Sequence, residues 1–215
     1  MTERLKIIFS EISPCKTFAD IGCDHGYIAK AVLESGKAEK VIVSDISEKS
    51  LDKAKDLLKE EIAESKAEAV VSDGFDKVTG ADEALIAGMG GEEIVSILLN
   101  AKSLPERLIL QPMKNTEKVR KTAVELGFKT EKDYVFKSGG KFYDLIVLSK
   151  GKDFLTEEEI EFGRTNLKEF PSAFTERIEH IILTLEKVLR KGDLSLKAQA
   201  ETRNKIERLN KYVKN

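Results

Sequence analysis

A chain of 215 residues, 41% hydrophobic and 34% charged, has room for one full domain and an appendage, and its composition argues against both disorder and a membrane protein. No apolar run approaches the roughly 20 residues that a spanning helix needs. The net charge of −2 does not announce a nucleic-acid binder, and residues 151–215 are nearly neutral too, so any electrostatic footprint must be a local patch.

The first nine residues, Met1 to Phe9, carry scattered charges rather than the apolar core of a signal peptide, so a cytoplasmic location is expected. Residues 2–12 read as a short amphipathic helix with Leu5, Ile8, Phe9 and Ile12 on one face, stopped at Ser13-Pro14. A first strand over about Thr17–Ile21 runs into the glycine-broken stretch Gly22-Cys23-Asp24-His25-Gly26. A helix leaves it at Tyr27 and ends near Ser35-Gly36. Strand two, Lys40–Ser44, closes on Asp45, and Ser47 is placed to cap a helix that buries Leu51, Ala54, Leu57, Leu58 and Ile62. Strand three, about Ala67–Ser72, ends in Asp73-Gly74-Phe75. Strand four, Ala84–Ala87, ends in Gly88-Met89-Gly90-Gly91, and the next helix carries Ile94, Val95, Ile97, Leu98 and Leu99. Strand five, Arg107–Leu110, closes on Gln111-Pro112-Met113. Asn115 or Thr116 then caps a helix through Leu126, and Tyr134–Phe136 with Tyr143–Leu148 reads as a β-hairpin across Gly139-Gly140. Strands alternating with helices, then a hairpin, predict an α/β fold: a Rossmann-like, mostly parallel sheet with an antiparallel terminal strand.

After Gly151 the strand pattern disappears. Thr156 and Glu159 form a capping box opening a helix to about Lys168. Residues 172–189 and 194–213 carry helical patterns around Gly192-Asp193, which predicts a C-terminal antiparallel helical hairpin. The expected division is therefore a cofactor-binding domain over 1–150 and a helical, coiled-coil-like domain over 151–215.

Strand, glycine turn and helix make a nucleotide-binding mouth. A dinucleotide fold wants Gly-x-Gly-x-x-Gly, whose middle glycine lets the backbone approach a pyrophosphate. Here Asp24 stands in that place, and a carboxylate there repels a pyrophosphate and suits a cation. S-adenosylmethionine presents an ammonium and a sulfonium, and Asp20 or Asp24 can accept from the ammonium. Asp45 is placed for a ribose diol, and Asp73 for the adenine amino group, with Phe75 beside the ring. The acids follow strands one, two and three in order, at the end of the sheet where such folds bind ligands. The expected cofactor-binding set is Asp20, Gly22, Asp24, His25, Gly26, Asp45, Ile46, Asp73, Gly74, Phe75, Gly88, Met89 and Gly90. No metal site is expected: Cys15 and Cys23 lack a CxxC spacing, and His25 and His180 are the only histidines.

Three segments, Asp20-Ile-Gly-Cys-Asp-His-Gly-Tyr27, Gly88-Met-Gly-Gly91 and Leu108-Ile-Leu-Gln-Pro112, together resemble the bacterial tRNA (adenine-22-N1)-methyltransferase family. The resemblance covers essentially the whole chain. It implies a class I methyltransferase domain, S-adenosylmethionine as cofactor, and methyl transfer to N1 of an adenine in the D-arm region of tRNA. The helical tail is expected to position the tRNA, and a protein-docking arm is the alternative for a hairpin of such mixed charge. Cys23 stands where the family commonly has a small hydroxyl residue, Gly26 where alanine is common, and Met113 where asparagine often follows Gln-Pro.

The chemistry of the residues agrees with that acceptor. The Gly88–Gly91 turn offers no carboxamide to grip an exocyclic amine. Adenine N1 has an in-plane lone pair, so it needs exposure, in-line placement and stabilisation of the cationic product rather than a strong base. Asp24, His25, Tyr27 and Met89 are the expected reaction-site residues: Asp24 for the developing charge, Tyr27 and Met89 flanking the extruded base. Each has a plainer alternative: Asp24 holding the cofactor or the turn, His25 capping the helix, Tyr27 packing under the cofactor, Met89 a wall. Gln111, Lys114, Lys118, Arg120, Lys121, Arg164, Lys168 and Arg177 are the expected RNA contacts, with Gln111 alternatively a strand anchor and the charged groups binding phosphate without reading sequence. A monomer with tRNA as partner, and no membrane, is expected. Methylation of another acceptor, or a non-catalytic binding role, are the alternatives.

Overall fold

A computed structural model describes residues 1–213. Its elements in chain order are α1 (Glu3–Ser10), β1 (Cys15–Ile21), α2 (Tyr27–Glu34), β2 (Ala38–Asp45), α3 (Glu48–Leu57), α4 (Lys59–Ala63), β3 (Ala67–Val71), β4 (Glu83–Met89), α5 (Gly91–Asn100), β5 (Arg107–Pro112), α6 (Thr116–Glu125), β6 (Phe128–Ser138), β7 (Lys141–Lys150), α7 (Glu157–Phe162), α8 (Arg164–Glu169), α9 (Ser172–Lys191) and α10 (Leu196–Asn210).

The strands form one sheet in the order β3-β2-β1-β4-β5-β7-β6. The pairs from β3 to β5 are parallel, and β7 runs antiparallel to β5 and β6. Helices cover both faces, so consecutive strand residues are apolar and go to opposite sides. Phe18, Val43, Leu85, Ile109 and Leu145 join one core with Ile8 of α1 and Val32 of α2. Ala19, Ile42, Ile86, Leu110 and Ile146 join the other with Ile94 of α5 and Val119 of α6. Chain order reverses direction at β1, whose neighbours are β2 and β4, and that switch opens a crevice at the strands' C-terminal ends.

A third core joins the tail to the hairpin: Phe162, Phe174, Ile178, Ile182, Leu209 and Tyr212 pack with Val135 of β6. Phe174, early in α9, meets Tyr212, just past α10, at 6.0 Å between ring centroids, so the two helices run antiparallel. Gly192 ends α9 in the left-handed region at φ 76.

Three local expectations are corrected. The pattern running from Leu51 to Ile62 is two helices, because Leu58 leaves helical geometry at φ −102, ψ 19. The helix opened by the Thr156–Glu159 capping box stops at Gly163, which adopts φ 87, ψ 133, and α8 restarts beyond it. A Cβ on Gly163 would lie 2.7 Å from Asp133 Oδ1, so the break makes room for a buried carboxylate. Neither Asn115 nor Thr116 caps α6 with its side chain: Asn115 sits at the cap position with φ 55 and donates to Glu92, and the Thr116 hydroxyl donates to Asp144.

Candidate functional site

The glycine loop is pinned to the neighbouring strand. The backbone N–H groups of Gly22 and Cys23 donate to Ser44 O of β2 at 2.8 and 3.0 Å, and Gly26 N closes a turn on Cys23 O. Gly22, Asp24 and Gly26 all have positive φ. Two of them are glycines, where that conformation costs least; Asp24 is not, and bears local strain at the mouth of the crevice. Met89 covers Gly22 closely: a Cβ there would lie 1.9 Å from the Met89 methyl, the mobile end of that side chain, and would have to displace it.

Two cavities open at this end of the sheet. The first, about 410 Å³, is lined by Asp45, Asp73, Glu93, Gly88 and Met89 among others. The second, about 490 Å³, is lined by Asp20, His25, Tyr27, Ser138, Lys141 and Tyr143 among others. Arg4, Gly22, Asp24 and Ala87 belong to both linings, so the cavities meet across the glycine loop and the end of β4.

In the first cavity the loops after β2 and β3 are built by side-chain turns. Asp45 Oδ1 accepts from Ser47 N at 2.8 Å, and Ser72 Oγ donates to Gly74 O while accepting from Lys77 N. Ile46, 70% exposed, and Ile97 supply the apolar wall. Phe75 does not: it is buried in the core with Ile94 and Val78 and lines neither cavity, which corrects its expected place beside an adenine ring. Gly26 and Gly90 line neither cavity; they are the N-cap positions of α2 and α5.

In the second cavity the His25 ring stacks on the Tyr27 ring, centroids 5.3 Å apart and 16° from parallel. Tyr27 is 51% exposed and presents a ring to the opening. His25 does not cap α2, whose first turn has no side-chain cap; its Nε2 lies 3.6 Å from Asp24 Oδ2 instead. Lys53 approaches the other Asp24 oxygen at 3.5 Å. Met89 lines the first cavity and not the second, so its expected place beside an extruded base is corrected to the wall over Gly22.

Asp20 lies beneath the loop. Burial pushes its carboxyl pKa up to about 7; the Ala29 backbone N–H opposes the shift and the Asp45 charge adds to it. Among the described residues it has no cationic partner. Cys23 is buried, and its thiol is pushed up by that burial first and by the neighbouring acids second, so it stays protonated and inert.

Several expected RNA contacts are internal. Arg120, 2% exposed, donates from Nε and Nη2 to Asp133 and from Nη1 to the carbonyls of Ile160 and Glu161. Arg177 donates to Asp144 at 2.8 Å, and Arg164 is held by Asp153 and Glu159. These arginines join the sheet to the tail. Gln111 is fully buried: it accepts from Arg4 Nη1 at 2.7 Å and donates to Pro112 O at 3.1 Å, so it is an anchor and not a substrate contact. Lys118 is exposed but paired with Glu92 at 2.5 Å. Lys114, Lys121 and Lys168 are exposed and form no ion pair among the described residues.

Arg4, Lys141 and Tyr143 carried no motif in the sequence. They reach the crevice from α1 and from the β6–β7 hairpin, and the amphipathic pattern of α1 marks only its buried face.

Among the described residues no cluster of three or more His, Cys, Asp or Glu side chains is disposed to hold a metal, and no helix is long and apolar enough to cross a membrane.

Comparisons with known proteins bear on this crevice. Residues 1–146 match a family described as a methyltransferase domain. A Mycoplasma pneumoniae protein named as a candidate tRNA methyltransferase is 31% identical over 155 residues, covering 69% of this chain and 71% of that protein. The tRNA (adenine(22)-N(1))-methyltransferase of Bacillus subtilis is 29% identical over 156 residues, covering 70% of this chain and 66% of the enzyme. The crystal structure of a Streptococcus pneumoniae protein, described as a candidate tRNA (m1A22) methyltransferase, is similar with a TM-score of 0.91 at 25% identity, over 99% of each chain. The same protein in complex with S-adenosyl-L-methionine is similar with a TM-score of 0.87, again over 99% of each chain.

Proposed function

The chain belongs to the methyltransferase-domain family and, within it, to the bacterial tRNA (adenine-22-N1)-methyltransferases, and on that premise we propose that it methylates N1 of adenine 22 in tRNA, using S-adenosylmethionine. The observation that carries the reading is the pair of cavities meeting at Gly22 and Asp24, one acid-lined and one aromatic-lined.

The first cavity suits the cofactor. Asp45, with one oxygen committed to Ser47 N, keeps the other for ribose hydroxyls, and Asp73 is placed for the adenine amino group. Asp20, in the lining of the second cavity where it meets the first at Gly22 and Asp24, gives the test of fit for the cofactor's amino-acid end. A buried acid pushed up to about 7 lacks a counter-charge, and an ammonium beside it supplies one. When bound, S-adenosylmethionine supplies a methyl group activated by its sulfonium charge.

The second cavity suits the acceptor. The exposed Tyr27 ring, backed by His25, offers a stacking surface for an extruded base, while the Tyr143 ring stacks on Phe136 and carries Arg4. Asp24, common to both cavities, stabilises the positive charge that develops on the adenine. N1 carries no proton to remove, so placement and this charge are what the protein must provide.

Exposed Lys114, Lys121 and Lys168, with the more loosely held Lys118, bind tRNA phosphates, and residues 151–215 position the tRNA as a helical unit. The enzyme acts as a monomer in the cytoplasm. Incubation with methyl-labelled S-adenosylmethionine and unmodified tRNA, followed by nucleoside analysis, tests the proposal. It expects label in 1-methyladenosine; label in another nucleoside, or none in RNA, rejects it.

A further inference from the structure

The acid-rich cavity has a charge problem that one residue resolves. Asp24, Asp45, Asp73 and Glu93 all line it, and the single Lys or Arg in its lining is Arg4. The amino-acid end of S-adenosylmethionine carries a carboxylate beside its ammonium. The acids suit the ammonium and repel the carboxylate. We infer that Arg4 is the carboxylate-binding residue of this cavity, contributed by the N-terminal helix; the inference rests on the cofactor reading given above.

Arg4 is built to receive an anion. Its Nη1 donates to Gln111 Oε1 at 2.7 Å, across 107 residues of chain. Gln111 is itself fully buried and fixed by its donation to Pro112 O at 3.1 Å, so it is a rigid support. That support is neutral: it orients the guanidinium without cancelling its charge. The guanidinium carbon also lies over the Tyr143 ring, 5.7 Å from the centroid, which holds the planar group from one face. Among the described residues Arg4 has no carboxylate partner, unlike Arg120, Arg164 and Arg177.

Its position fits the same role. Arg4 lines both cavities, and its Nη1 lies 3.5 Å from where a Cβ would stand on Gly88. Gly88 sits where the β4–β5 register shifts, between Ala87 and Met89, with φ 81. The guanidinium therefore stands over the end of β4, at the switch of the sheet. A guanidinium has five N–H donors in a planar fork, and one of them meets Gln111. The remainder suit a carboxylate, which a fork of this kind binds in a charge-assisted, two-point contact.

The test is calorimetric binding to the full-length protein, using S-adenosylhomocysteine and its decarboxylated counterpart, in which a propylamine replaces the amino-acid end. The wild type is expected to bind S-adenosylhomocysteine about 10- to 100-fold more tightly than the decarboxylated compound, the range of one charge-assisted contact. Arg4→Gln is expected to remove that preference by weakening S-adenosylhomocysteine alone. Arg4→Lys, which keeps the charge, is expected to restore part of it. Equal weakening of both ligands in Arg4→Gln would mean that Arg4 acts through the fold, and no weakening of either would mean that it touches neither; both results overturn the inference while leaving the cofactor reading intact. A wild type that binds neither ligand overturns the cofactor reading and this inference with it.

Discussion

Arg120 and Asp133 face each other through two parallel hydrogen bonds, Nε to Oδ2 at 2.7 Å and Nη2 to Oδ1 at 2.8 Å, in a site from which water is excluded. The same guanidinium reaches the carbonyls of Ile160 and Glu161 in α7, and Asp144 links the cluster to Arg177 of α9. The chain's most buried arginine is thus a pin between sheet and tail. Removing one member strands a charge, a change that costs about 3–5 kcal/mol for buried pairs. Arg120→Ala is expected to lower stability by about that amount in denaturant unfolding, and a loss below ~1 kcal/mol contradicts the pin.

Tyr27 separates stacking from cofactor binding. Its ring is exposed at the second cavity and lies against His25. Stacking on an aromatic ring is worth about 1–3 kcal/mol per base, so Tyr27→Ala is expected to lower kcat/KM for tRNA by roughly 5- to 150-fold. Tyr27→Phe keeps most of the activity, and both variants bind S-adenosylhomocysteine like the wild type. Loss of cofactor affinity in Tyr27→Ala would put the ring under the cofactor instead.

Asp20 gives a pH dependence with a definite sign. Its folded-state pKa is raised to about 7, chiefly by burial, so the folded protein without ligand holds a proton that the unfolded chain has released above about pH 4. Its contribution to stability is full below the unfolded value and falls as pH rises towards 7. A bound ammonium reverses the preference by favouring the charged acid. S-adenosylhomocysteine affinity is therefore expected to rise with pH up to about 7, by at most tenfold per pH unit, and Asp20→Asn is expected to flatten that slope. Calorimetry between pH 5.5 and 8 reads both, and an equally steep slope in Asp20→Asn removes Asp20 from the account.

Gly22 is expected to accept a side chain only at a cost. The φ of 71 is unfavourable for alanine, and a Cβ would displace the flexible Met89 methyl from the wall of the first cavity. Gly22→Ala is expected to fold with reduced thermal stability and to bind S-adenosylhomocysteine at least tenfold more weakly. Gly22→Ala combined with Met89→Ala relieves the collision but not the backbone strain, so it recovers only part of the affinity; full recovery would assign the whole effect to Met89.

Much of the architecture could be read in the sequence because it rests on short-range signals. Apolar runs ending in Asp45 and Asp73, the glycine break after Ile21, and the Thr156–Glu159 box are each local statements, and the structure has the corresponding strand ends, loop and cap. The misplaced residues are those whose role depends on partners far along the chain. Arg120 looked like a surface cation because helical spacing does not reveal that Asp133, Asp144 and the start of the tail converge on it. Phe75 follows Asp73 and Gly74 closely enough to suggest a ring beside the loop, but its side chain turns into the core. Arg4 and Tyr143 carry no local signature, because the second cavity is assembled from α1 and a hairpin more than a hundred residues away.

The most direct measurement of the central claim is methyl transfer from labelled S-adenosylmethionine to two unmodified tRNA transcripts that differ only at position 22, one with adenine and one with guanine there. The account predicts label as 1-methyladenosine in the first transcript and none in the second. Equal labelling of both transcripts would contradict the assignment of the site, and labelling of neither, by a protein that binds S-adenosylhomocysteine, would contradict the assignment of tRNA as acceptor.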